Sequence, residues 1–106
     1  MKREIFLTRR AEADLDSILN WLEDRSPSGA ARWLKSLEST FDWLEEYANS
    51  CPLAPENDSF DEEIRERLFK TKRGRSYRLL FSLAGKKVQV LHIRGPGQDL
   101  VRPHDK

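Results

Sequence analysis

The sequence predicts an α+β fold: an N-terminal strand, an antiparallel helix hairpin, then a three-stranded antiparallel meander forming one sheet. Three observations lead there. Two stretches repeat apolar residues at helical spacing, with only a short break between them. The last third alternates apolar and polar residues with period two instead. An isolated apolar run, Ile5-Phe6-Leu7, precedes both. At 106 residues a single domain spanning 1–106 is the expected organisation.

Ile5-Phe6-Leu7 is a short strand that needs a partner distant in sequence. Thr8 follows as a helix N-cap, and Glu12 complements the positive helix end. Ala11, Leu15, Ile18 and Leu22, with Leu19 beside them, form one apolar stripe over about residues 9–24. Asp14, Asp16, Glu23 and Asp24 fill the wet side. Arg25-Ser26-Pro27-Ser28-Gly29 interrupts the pattern. Ser26 or Ser28 caps a second helix, with Pro27 tolerated in its first turn. Ala30, Leu34, Leu37, Phe41, Leu44 and Ala48 carry that helix over about 28–48. The short connection makes the helices antiparallel neighbours. Trp21, Trp33 and Trp43 lie beside the stripes and read as packing residues at helix margins.

Asn49–Asp58 is a loop with two prolines, and 59–63 is ambiguous, with one helical turn as an option. Residues 64–70 form a charged, edge-like strand. Arg73-Gly74-Arg75 is a turn. Ser76–Leu83 is a strand with Tyr77, Leu79, Phe81 and Leu83 on one face and Arg78, Leu80 and Ser82 on the other. After the tight turn Ala84-Gly85-Lys86, residues 87–94 place Val88, Val90 and His92 on one face, Gln89, Leu91 and Ile93 on the other. One sheet face is expected to pack on the helices, and the face bearing Arg78 to stay open. Gly95-Pro96-Gly97 ends regular structure before a polar tail.

Charge is divided unevenly along the chain. Residues 1–63 hold 7 basic and 15 acidic side chains; residues 64–106 hold 12 basic and 3 acidic. Residues 64–78 alone carry seven cations (65, 67, 70, 72, 73, 75 and 78) against Glu66. Two explanations stand. The basic half faces a polyanion, or the two halves neutralise each other across the fold. Cys51 is alone, which rules out an internal disulfide and a cysteine-based metal site. It suits a reducing, cytoplasmic setting. No signal peptide or membrane-spanning run is read from the sequence. Nothing in it calls for a metal or an organic cofactor.

The order of elements resembles the RelE/ParE toxin family of bacterial type II toxin–antitoxin pairs, which includes plasmid-stabilisation toxins. The likeness covers about residues 3–100. Ile5-Phe6-Leu7-Thr8-x-x-Ala11-x-x-Asp14-Leu15-x-x-Ile18 resembles the family's first strand and helix. Ser26-Pro27-x-x-Ala30 is similar to the start of its second helix. Tyr77-Arg78-Leu79-Leu80-Phe81 and Val88-x-Val90-Leu91-His92-Ile93-Arg94 resemble two of its strands. The resemblance implies a growth-inhibiting toxin neutralised by a cognate antitoxin. It also implies one of two targets: DNA gyrase for ParE-like members, or messenger RNA in the ribosomal decoding site for RelE-like members.

Metal-free RNA cleavage needs a base for the 2′-hydroxyl, cations for the phosphate and an acid for the leaving oxygen. RelE-like members resemble this scheme with a lysine pair, two arginines and a C-terminal tyrosine. Lys70, Lys72 and Arg78 match the lysine pair and first arginine, with spacing one residue short. Gln98 falls where the second arginine is expected, and glutamine brings no charge. His104 falls near the tyrosine position and is the candidate acid or base. Each residue also has a plain structural role: Lys70 and Lys72 as edge-strand lysines, Arg78 paired with an acid of the first half, His92 packed, His104 solvated. The incomplete set favours a ParE-like toxin acting on a target such as gyrase. The alternatives are a RelE-like endoribonuclease and an inactive module that only binds its partner. Arg65, Arg67, Arg73, Arg75 and Arg94 are the candidate target- or antitoxin-binding residues.

Overall fold

The computed structural model describes residues 2–96. It begins with strand β1, Glu4–Leu7. Thr8 ends the strand and caps helix α1, Arg9–Arg25: its hydroxyl accepts from Ala11 N and donates to Leu91 O. Ser26, rather than Ser28, caps helix α2, Pro27–Tyr47, by accepting from Gly29 N. Its own N–H closes α1 on Leu22 O. One residue thus ends the first helix and starts the second, which forces the antiparallel hairpin. Two 3-10 turns, Ala48–Ser50 and Asn57–Ser59, punctuate the connection to the sheet.

Strands β2 (Arg65–Phe69), β3 (Tyr77–Ala84) and β4 (Lys87–Arg94) form the meander. β1 joins it in parallel with β4, Glu4 opposite Lys87 and Leu7 opposite Val90. The order β1-β4-β3-β2 leaves the charged strand β2 at an edge. Gly85, at φ 60°, supplies the left-handed residue of the β3–β4 turn.

The helices cover one face. Ala11, Trp33, Leu37 and Leu44 pack on Phe69, Leu79, Phe81, Val88, Val90 and Ile93, all buried. Ile93 sits there against the simple alternation, and the cause is a β-bulge. Leu80 pairs with His92 and Phe81 with Val90, so Leu91 is skipped. The extra residue shifts the pattern by one. Ile93 joins the helix-side core, while Leu91 packs with Leu80.

The second sheet face is not open as expected. The 48–64 connection folds back over it, where Ala54, Ile64 and Phe60 pack with Leu80 and Leu91. The Pro52 carbonyl accepts from Glu66 N, and Ala54 N donates to Ile64 O. Asn57 Oδ1 accepts from Ile64 N at 2.8 Å and fixes the return into β2. Among the tryptophans, Trp33 is buried and Trp43 half-buried, but Trp21 is 52% exposed and stacks with Arg25 one turn on.

Candidate interaction surface

β2, the turn after it and the start of β3 bring the dense cations together, but not into one environment. Three are braced. Arg65 donates to Cys51 O at 2.6 Å and to Glu63 Oε1 at 3.2 Å. Arg67 lies over the Trp43 ring, 3.9 Å from its centroid. Arg78 donates from Nη2 to Glu56 Oε1 at 2.6 Å and from Nε to Glu66 Oε1 at 2.5 Å. Glu56 is buried, and it arrives on the folded-back connection. Burial alone would lower the Arg78 pKa. The bonds to the two carboxylates outweigh it and hold the guanidinium above its ordinary value.

The other cations are not braced. Lys70, Lys72, Arg73 and Arg75 are exposed, and none has a carboxylate within ion-pair distance among the described residues. Their backbone, by contrast, is held. Ser36 Oγ of α2 donates to Lys70 O, and Gly74 N donates to Thr71 O. A side chain at 74 would meet Thr71 Oγ1 at 2.3 Å from its Cβ, so glycine lets the turn close. Arg32 of α2 completes a depression lined by Thr71, Lys72, Arg73 and Gly74.

The remaining sequence candidates fall elsewhere. Arg94 sits half-buried on β4, opposite Arg78 in register. His92 is buried, with Nδ1 3.8 Å from Asp14 Oδ2. Asp14 also accepts from Ile93 N and Arg10 Nε. Gln98 and His104 lie outside the described residues. The structure therefore brings Lys70, Lys72, Arg73 and Arg75 onto one turn and sets Arg78 apart in an ion-pair network. Two participants escaped the sequence reading. Glu56 carried no signal beyond being one acid of the first half. Arg32 carried one: with Lys35 and Ser36 it shares a side of α2 at i, i+3, i+4 spacing.

Among the described residues no group of three or more His, Cys, Asp or Glu side chains is placed to hold a metal ion. No helix among them is long and apolar enough to cross a membrane.

Fold and surface define a small α+β protein with a cluster of unneutralised cations on the turn at one end of its sheet. The model of the ParE toxin of the parDE type II toxin–antitoxin system matches residues 5–100, and the chain belongs to that family. It is the toxin component of a type II toxin–antitoxin system, the kind of protein that is paired with a cognate antitoxin. Among solved structures, it is similar to a chain from the chromosomal ParDE TA system of P. aeruginosa. That likeness has a TM-score of 0.64 at 23% identity and covers 88% of this chain and 95% of that one. At that identity the likeness bears on the fold. No curated protein sequence matches the chain significantly.

Proposed function

We propose that this toxin acts in the cytoplasm by binding and inhibiting a cellular target, DNA gyrase, and not by cutting RNA. The observation that carries this reading is the placement of Arg78. A cation that stabilises a phosphate transition state must present uncompensated donors to the phosphate. Arg78 gives Nε and Nη2 to Glu66 and Glu56 instead. Lys70 and Lys72 remain exposed, but the arginines beside them on the turn, Arg73 and Arg75, are not at the position the cleavage scheme assigns to Arg78.

Two assays with one purified sample test the proposal. In the first, added toxin inhibits gyrase supercoiling and accumulates double-strand breaks. In the second, a message on 70S ribosomes acquires no new ends. Cuts at a vacant decoding site would instead establish the ribonuclease reading with Lys70, Lys72, Arg78 and His104. A folded sample inert in both assays would leave a binding module.

The antitoxin is proposed to cover part of residues 64–94 and the helix hairpin, with the arginines at 65, 67, 73, 75 and 94 as candidate contacts. Leu68, on edge strand β2, is 54% exposed, and Leu53 beside the strand is 47% exposed. They offer a partner segment apolar anchorage at an open edge. Leu68→Asp is expected to weaken co-purification with the antitoxin. Undiminished recovery would move the interface elsewhere.

A further inference from the structure

The cations of the β2–β3 turn are continued by α2. Arg32 and Lys35, both exposed, lie in the half of that helix beside the turn, where Ser36 is bonded to Lys70 O. Glu38 follows at mid-helix, and Asp42, Glu45 and Glu46 lie in the far half. α2 has no acid in its first turn and no base in its last. This is the reverse of what the helix dipole favours, since acids stabilise a helix N-terminus and bases its C-terminus. Helix stability therefore gives no reason for the arrangement.

The chemistry of the patch narrows its partner. Single-stranded nucleic acid is held by aromatic faces on which bases stack. The aromatics flanking this turn, Trp33, Phe69 and Tyr77, pack on one another instead, with centroids between 5.3 and 5.8 Å apart. A partner peptide with apolar anchors finds its seats at Leu68 and Leu53, outside the depression. The depression here is lined by Arg32, Thr71, Lys72, Arg73 and Gly74, with no large apolar side chain among them. Long, unbraced cations around an open hollow suit a regular array of phosphates, read without reference to sequence.

We propose that Arg32, Lys35, Lys70, Lys72, Arg73 and Arg75 form a binding surface for the phosphate backbone of duplex DNA. The contact itself rests on the charge arrangement. The choice of DNA over RNA rests on the gyrase reading, because gyrase works on duplex DNA. The acidic far half of α2 sets the polarity, so only the turn end of the molecule meets the duplex.

The test is fluorescence anisotropy of a short blunt DNA duplex titrated with the free protein across a range of salt. Lys72→Gln/Arg73→Gln is compared with Lys2→Gln/Lys86→Gln, which removes the same charge from exposed positions off the patch. Circular dichroism confirms that each variant is folded. The patch variant is expected to bind about tenfold more weakly, with a log–log salt slope shallower by about 2. The control pair keeps the wild-type slope. Equal losses in both variants would mean net charge alone, and the proposal fails. It also fails if the wild type does not bind, or if single-stranded DNA or duplex RNA of equal length binds more tightly. Gyrase supercoiling is measured on the same samples. Patch-dependent DNA binding without gyrase inhibition would overturn the target and leave the DNA surface standing. Gyrase inhibition without DNA binding would overturn the surface alone.

Discussion

Truncating Arg78 to alanine should destabilise the fold far more than removing an ordinary edge-strand arginine. Glu56 has a side chain 1% exposed and takes a guanidinium hydrogen bond at 2.6 Å. Without Arg78 its carboxylate loses that bond and stays buried. Glu66, at 17% exposure, has water within reach and suffers less. Removing one partner of a buried pair costs about 3–5 kcal/mol. The partial exposure of Arg78, 18%, and of Glu66 puts the expectation near the lower end, about 3 kcal/mol. In a domain of this size that corresponds to a melting temperature lower by on the order of 15 °C. Urea unfolding measures the free energy directly. Arg78→Lys should fall in between, because lysine restores the charge without the fork that reaches two carboxylates. A double variant, Arg78→Met/Glu56→Leu, should recover much of the loss by removing both charges together. A loss below about 1 kcal/mol for Arg78→Ala would show that Glu56 is rehydrated or protonated at little cost. The network would then no longer explain why Arg78 is withheld from phosphate.

Other expectations follow from single features. Trp33→Ala removes a buried ring packed on Phe69 and Tyr77 and should cost about 3–5 kcal/mol in urea unfolding. Gly85→Ala meets no atom within 4 Å but must adopt φ +60°, so a loss of about 1 kcal/mol is expected from the backbone alone, with Gly85→Asn milder. Burial raises the Cys51 thiol above its ordinary 9.0, although Arg67 and Arg65 pull it down, and raises the Tyr77 hydroxyl above 10.0. The unfolded chain gives up both protons first. Stability should therefore be intact below pH 9.0, fall as pH rises past 9.0 and 10.0, and level off above the raised folded values. Cys51→Ala/Tyr77→Phe should flatten that alkaline decline in a series of urea midpoints. A decline as steep as in the wild type would assign it to other groups.

The elements were legible because each is written in local terms. The 4-3-4 stripes, the Ser26-Pro27 break and the Ala84-Gly85-Lys86 turn depend on neighbours within a few residues. The parallel pairing of β1 with β4 is not written that way. Ile5-Phe6-Leu7 announces a strand, but its partner lies more than eighty positions away in register. The bulge at Leu91 was hidden for a related reason. Val88-Gln89-Val90-Leu91-His92-Ile93 reads as unbroken alternation, and one inserted residue leaves no mark in it. The candidate surface was half legible. Lys70, Lys72, Arg73 and Arg75 could be grouped by sequence because a turn keeps neighbours together. The cover over the second sheet face could not be read. Residues 49–63 look like a polar loop, and their few apolar residues show their use only once Ala54, Phe60 and Ile64 meet Leu80 and Leu91.

The two explanations for the divided charge both hold, in different places. Where the acidic connection folds over the sheet, the halves neutralise each other: Glu56 and Glu63 from the first half reach Arg78 and Arg65. The Glu56–Arg78 contact is close, largely dry and geometrically fixed, which is where opposite charges interact most strongly. The connection returns to the sheet at Ile64 and leaves the β2–β3 turn uncovered, so Lys70, Lys72, Arg73 and Arg75 have no counterpart. On the exposed face of α2, Glu38 lies at mid-helix, and Asp42 and Glu46 lie toward the end away from the turn. Acids in place of Arg32 and Lys35 would neutralise the patch. A variant with Arg32→Glu and Lys35→Glu should lose polyanion affinity with little change in stability, since both positions lie beyond the first turn of α2, where the dipole has faded. Unchanged stability with weaker binding would separate what the fold needs from what the surface is for. If both properties fell together, the cations would be holding the turn in place and the patch would need a structural explanation.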